Sequence, residues 1–262
     1  YESAGVAPEK RLALLESNQA VVVRRDDAVN REVGLKVAMG KYDEAIGLMT
    51  GRRFAVWEGG NLNVAEYWMD AHLLRGRARL AAKRYREALA DYQAAAKIPD
   101  NLPSERMGGG GRDAEVAYCL GTAYAALGDQ EQARQSWQRA AAASSEAQQF
   151  RRRGPGGLSP QGYYQALALG KLGQNDKAEA IFRGLVDSAN QALQQRPAKT
   201  DSGASFEVLR AERDRLATTH YVAGLGYLGL NDKEKARQEL AQALQASPDH
   251  SGAKAAIAGI GK

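Results

Sequence analysis

With 262 residues and 44 % apolar composition the chain is long enough to bury a sizeable core, yet only 7 % of it is aromatic, so small side chains must build much of that core. The formal charge of +5 invites a nucleic-acid reading, but basic residues are balanced locally by acids, as in Arg84 to Glu87 and Asp232 to Arg237. The one dense run, Arg151-Arg152-Arg153, adjoins a Gly-Pro loop with no interleaved aromatic and reads as solvated. One cysteine, Cys119, excludes an intramolecular disulfide, and no apolar run approaches the roughly 18 residues that cross a bilayer.

The first expected element is a helix over residues 8–18, with Leu12 and Leu15 on one face. Residues 1–25 then form an N-terminal helical cap or the remnant of a preceding repeat. From residue 26 to 249 one pattern recurs five times. Gly40, Lys83, Gly128, Gly173 and Asn231 are each followed five residues later by an alanine, at Ala45, Ala88, Ala133, Ala178 and Ala236. At the end, Ser247-Pro248-Asp249 stops the last periodic segment. Residues 250–262 supply a C-terminal capping segment, amphipathic over 251–260 and loosened by Gly259 and Gly261.

The unit around Gly128 shows the physics. Leu120, Gly121, Tyr124, Ala133, Trp137 and Ala140 alternate large and small at three- and four-residue steps on either side of the turn. Two amphipathic helices therefore pack face to face, close where the residues are small. Gly128 supplies the left-handed conformation that ends the first helix, and Asp129 caps the second. A single hairpin cannot hide its own apolar stripe, so neighbours must stack on it. Cys119 falls on the packing face and reads as a small buried residue.

These residues resemble the tetratricopeptide repeat. Gly224, Tyr227, Asn231, Ala236, Ala243 and Pro248 match it as the Gly128 unit does, closing proline included. The second unit keeps Gly76, Tyr85, Ala88, Tyr92 and Ala95, and the fourth keeps Gly173, Ala178 and Phe182 with Ala166 where glycine is usual. The first departs most, with Val33 and Arg52 in place of small residues. The resemblance implies an all-α fold: a right-handed superhelical solenoid of about five helical hairpins. The marker alanines stand 43, 45, 45 and 58 residues apart, where an ordinary repeat of this class spans about 34. Long inter-repeat insertions are thus expected at 55–64, 98–113, 144–160 and 196–205, mostly Gly-, Pro- and Ser-rich loops along one edge.

A looser likeness concerns Gly51-Arg52-Arg53-Phe54-Ala55-Val56-Trp57-Glu58-Gly59-Gly60 and Tyr67-Trp68-Met69-Asp70-Ala71-His72-Leu73-Leu74-Arg75-Gly76. It is similar to the C-terminal repeat region of uncharacterised bacterial proteins with an N-terminal mutarotase-like β-sandwich. That likeness implies a tail cut from a longer polypeptide, as does a first residue, Tyr1, that is not Met; a trimmed or processed chain accounts for the same fact. Cytoplasmic residence is the default expectation, with export left open because the true N-terminus is not assured.

Catalytic chemistry finds little support. His72, His220 and His250 are not spaced as a metal-binding pair, and no cysteine stands near them. His72 and His220 hold the same place in two repeats, one turn ahead of Gly76 and Gly224, which suits packing. The Gly108–Gly111 run lacks a preceding strand and a following Lys-Ser/Thr, so it reads as a connector rather than a phosphate cradle. Glu66 and Asp70 lie four apart at a helix start and complement its dipole. No cofactor, metal or enzymatic role is expected.

In tetratricopeptide arrays the first helix of each hairpin lines the concave groove. The resemblance puts Asn30, Leu73, Tyr118, Tyr163 and Tyr221 in one column there, with Asp27, Asp70 and Glu115 one turn before and Arg77 one turn after. Tyrosines suit an extended peptide or a sugar, being flat, stiff and tipped with a hydroxyl; gap filling between widely spaced repeats explains them equally well. A carboxylate clamp needs cationic and amide donors, and only Asn30 could serve. Phe54, Trp57, Glu58 and Trp68 mark a second surface, for docking a partner or a further domain of the same polypeptide, unless Trp57 folds back over the first hairpin. The leading reading is a non-catalytic protein-interaction scaffold holding a peptide segment or partner domain, with self-association open. The alternative is the accessory region of a larger carbohydrate-active or carbohydrate-binding protein.

Overall fold

The computed structural model describes residues 6–55, 63–103, 111–143, 158–195 and 206–261. Among them there are thirteen helices and no strand, which is the all-α class that the hairpin pattern requires. Two short helices, α1 (Pro8–Ser17) and α2 (Gln19–Val22), precede five helix–turn–helix pairs. These are α3 (Asp26–Ala38) with α4 (Tyr42–Met49), α5 (Val64–Ala81) with α6 (Tyr85–Ala96), and α7 (Asp113–Ala126) with α8 (Gln130–Ala142). Then come α9 (Gln161–Lys171) with α10 (Asn175–Gln194), α11 (Phe206–Gly229) with α12 (Lys233–Ala246), and a single last helix, α13 (Ser251–Ile260).

The five turns share one conformation. Gly40, Lys83, Gly128, Gly173 and Asn231 all have positive φ, between 61° and 88°. In each the next N–H reaches back to a carbonyl five residues earlier: Lys41 to Lys36, Arg84 to Arg79, Asp129 to Tyr124, Gln174 to Leu169 and Asp232 to Tyr227, at 2.8–3.0 Å. That bond satisfies a carbonyl the helix end would orphan. Lys83 thus adopts at a cost what glycine adopts freely. The second helices then begin with little side-chain help. Only Asp129 and Asp232 cap, accepting from the N–H of Gln132 at 3.0 Å and of Lys235 at 3.1 Å.

The five marker alanines are all buried, none more than 5 % exposed. Small residues across from large ones set the spacing. A Cβ on Gly76 would meet the Tyr92 ring at 2.4 Å, and one on Gly224 would meet Leu240 at 2.7 Å, so the helices of those pairs approach as closely as their backbones allow.

The helices fall into two compact units, residues 1–109 with 122–133, and residues 110–121 with 134–262. In the first, α1, with Leu12 buried, packs against α3, and consecutive helices from α3 to α6 pack on one another. Lys36, almost fully buried on α3, is held by Glu16 of α1 at 2.7 Å, Glu44 of α4 at 2.6 Å and Glu32 one turn back at 3.5 Å. The segment after α4 is tied down at both sides. Asp26 accepts from Arg52 Nε at 2.9 Å and from the Ala55 N–H at 2.7 Å. Asn101 Nδ2 donates to the carbonyls of Met49 and Arg52 at 3.0 and 2.7 Å.

In the second unit α9, α10, α11, α12 and α13 pack in succession. The 58-residue interval is not spent on a loop alone, as the sequence had suggested for 196–205. α10 runs 20 residues and α11 runs 24, so much of the surplus is helix. The stretch 185–194, Ala- and Gln-rich and without Gly or Pro, lets α10 continue to Gln194. Of the other three expected insertions, residues 56–62, 104–110 and 144–157 lie outside the described residues.

Candidate functional site

The first unit holds four of the expected groove residues, and they differ in access. Leu73 is fully buried, and Asn30 is 9 % exposed with its Oδ1 lacking a hydrogen-bond partner. Asp70 and Arg77, both on α5, are half-buried. They gather around Tyr42: burial pushes its hydroxyl above the ordinary tyrosine value, the Arg77 charge opposes that and the Asp70 charge adds to it. Tyr42 of α4 thus feels charges of both signs from α5, while Leu73 belongs to the core.

The docking residues are placed otherwise than the loop reading implied. Phe54 is 4 % exposed, because the segment carrying it is pinned by Asp26 and Asn101, and the Arg52 guanidinium lies 5.4 Å from its ring. Trp68 is half-buried; its Nε1 donates to the Ala94 carbonyl at 3.0 Å and its ring lies 4.4 Å from that of His72. Trp57 and Glu58 lie outside the described residues.

The second unit brings two of the remaining four into an aromatic assembly. Tyr118 of α7 and Tyr164 of α9 have ring centroids 6.1 Å apart. Tyr163 lies edge-on to Tyr164 at 5.3 Å and tilted against Phe182 of α10 at 5.8 Å. Tyr118 and Tyr163 keep part of their surface open, whereas Tyr164 is 5 % exposed and joins them. Reading a single column missed Tyr164; the Tyr163-Tyr164 doublet was the available signal. Tyr221, at 8 %, belongs to the core under α13, its ring 4.5 Å from that of His250. Glu115 is buried beside Arg112 at 2.7 Å, and its backbone N–H donates to Gln161 Oε1 at 3.3 Å, so Gln161 joins the starts of α7 and α9.

The two repeat-equivalent histidines do the same work. His72 Nδ1 stands 3.2 Å from Asp91 and His220 Nδ1 stands 2.7 Å from Glu239, each pair nineteen positions apart and joining the two helices of one hairpin. Asp91 also accepts from Arg75 and Arg79. Burial alone would raise its pKa, but the bonds from His72 and Arg75 and the charges of Arg75 and Arg79 hold the carboxyl below the usual aspartate value. Cys119 is buried as the packing pattern implied. Among the described residues no group of three or more His, Cys, Asp or Glu could hold a metal ion, and no helix is long and apolar enough to cross a membrane.

Residues 217–250, which cover the end of α11 and all of α12, match the model of the tetratricopeptide repeat family. A solved structure described as that of YrrB, a TPR protein with an unusual peptide-binding site, is 18 % identical to this chain. The match covers 95 % of this chain and 97 % of that one, with a TM-score of 0.32, a superposition too loose to transfer any position.

Proposed function

We propose that this chain is an interaction scaffold whose second unit holds an extended peptide segment against the open faces of Tyr118 and Tyr163. The carrying observation is that both rings keep part of their surface open while each packs on Tyr164, Tyr163 also on Phe182. A ring already held in place loses little side-chain freedom when a ligand lies on it. The family match at residues 217–250 supports the same class of role, since proteins of that family are commonly binding scaffolds. Asn30, Asp70 and Arg77 provide a separate polar set in the first unit. Residues 1–25 and 250–262 act as caps on this reading. The resemblance of 51–60 and 67–76 to a carbohydrate-linked family gains nothing from the geometry, because Phe54, Trp68 and His72 are engaged in packing.

The experiment is to pan a displayed library of extended peptides on the full chain, then measure the selected peptides against Tyr118→Ala and Tyr163→Ala. Binding weakened about tenfold or more with Tm nearly kept supports the reading. Unchanged binding with a lowered Tm makes the rings structural and ends it.

A further inference from the structure

α13 is held on the last hairpin by an unusual capping group. His250 precedes its first residue, and the backbone N–H of Ala253 donates to His250 Nδ1 at 3.2 Å. A backbone N–H can only donate, so Nδ1 must present a lone pair. The imidazole is therefore neutral, with its proton on Nε2. Serine, aspartate and asparagine fill this place in most helices, and none of them loses its acceptor near neutral pH. Histidine does.

We infer that α13 is a proton-released cap: protonation of His250 at mildly acid pH undocks this helix and uncovers the apolar end of the α11–α12 hairpin. Uptake of one proton on Nδ1 converts the acceptor into a donor that faces the Ala253 N–H. It also places a full positive charge at the positive end of the helix dipole, where cations are disfavoured. Both effects act in the interval where histidine ordinarily titrates, about pH 5–7. The surroundings bring Asp249 beside His250, Lys254 one turn on in α13, Tyr221 from α11 and the neighbouring His220–Glu239 pair; α12 carries no ionisable residue from Leu240 to Ala246.

Beyond the cap, an apolar contact holds the docked helix. Ala253 and Ile260 enter the cluster of Tyr221, Leu225, Leu240 and Ala243, with Ala256 and Ile257 at its border. The contact is also tight at one point, where a Cβ on Gly252 would come within 2.7 Å of the Tyr221 hydroxyl. Ten residues are too few to stay helical alone in water. Once the cap fails, the helix loses its start and its docking together.

Hydrogen exchange of the full chain at pH 7.5 and pH 5.0, with times scaled for intrinsic rates, tests this by comparing residues 251–260 with 236–246. Protection of α13 relative to α12 should fall roughly five- to tenfold at pH 5.0, the loss of one good cap. His250→Asn and His250→Ser, which cap without titrating, should keep that ratio constant between the two pH values. A ratio unchanged by pH in the native chain, or an equal fall in either variant, overturns the proposal.

Discussion

Gly76 and Tyr92 share one space: the ring sits where a Cβ on Gly76 would be, 2.4 Å from its nearest carbon, and Tyr92 is 1 % exposed. Gly76→Ala must push a buried ring, at about 1–3 kcal/mol for overpacking, against a gain of about 1 kcal/mol in helix propensity. Gly184, exposed inside α10, has nothing within 4 Å of its would-be Cβ. Urea unfolding should show Gly76→Ala destabilised and Gly184→Ala stabilised by about 0.5–1 kcal/mol. Two shifts of the same sign would remove the steric account.

Lys83 is the only non-glycine turn residue apart from Asn231, and asparagine tolerates positive φ better than lysine does. Lys83→Gly relieves the strained φ of 61° at the cost of a freer unfolded chain, for a net gain of about 0.5–1 kcal/mol. Gly128→Ala should lose about 1 kcal/mol for the opposite reason. Thermal melts of the two single variants check the signs.

Asp91 is nearly inaccessible and bonded to His72, Arg75 and Arg79. Asp91→Asn leaves Arg75 and Arg79 facing a neutral amide, at about 3 kcal/mol. The folded carboxyl titrates below its ordinary 3.8, so its contribution is full above that value and is lost as pH falls through the lower, folded one. Denaturant curves at pH 7 and pH 3 should show the gap between native chain and variant narrowing at pH 3. A gap that stays constant would mean the charge is not what holds the hairpin.

Lys36 answers three carboxylates, and burial, which alone would lower its pKa, is outweighed by Glu16 and Glu44, which raise it. Its contribution is therefore complete below about pH 10.5 and fades only as pH rises through the elevated value. Lys36→Met leaves Glu32, 2 % exposed, with Gln19 as its remaining close polar partner. The variant should lose about 3 kcal/mol and free α1 first, seen as faster proteolysis within residues 8–17. Intact α1 with lowered global stability would locate the effect elsewhere.

How legible this molecule was depends on how local the signal is. The turns were readable because a positive φ followed by a buried alanine is fixed within six residues; even Lys83 was found by spacing rather than by type. The helical extension of α10 and α11 was not readable, because residues 187–195 carry neither apolar period nor breaker. Phe54 looked exposed because its cover comes from a segment tied by Asp26 and Asn101, the latter about fifty positions away. Of the tyrosine column that the resemblance implied, Tyr118 and Tyr163 keep part of their surface open, while Tyr221 is roofed by α13 and Tyr164, outside the column, is the ring that joins the other two.

The bridge made by Asn101 has an effect on how the first unit comes apart. In a stack of hairpins each pair could in principle melt on its own, from the ends inward. Here an amide that follows α6 grips the carbonyls closing α4, so neither hairpin can loosen while the other stays whole. The first two repeats should therefore behave as one cooperative foldon, opening together in a single step rather than as two separable modules.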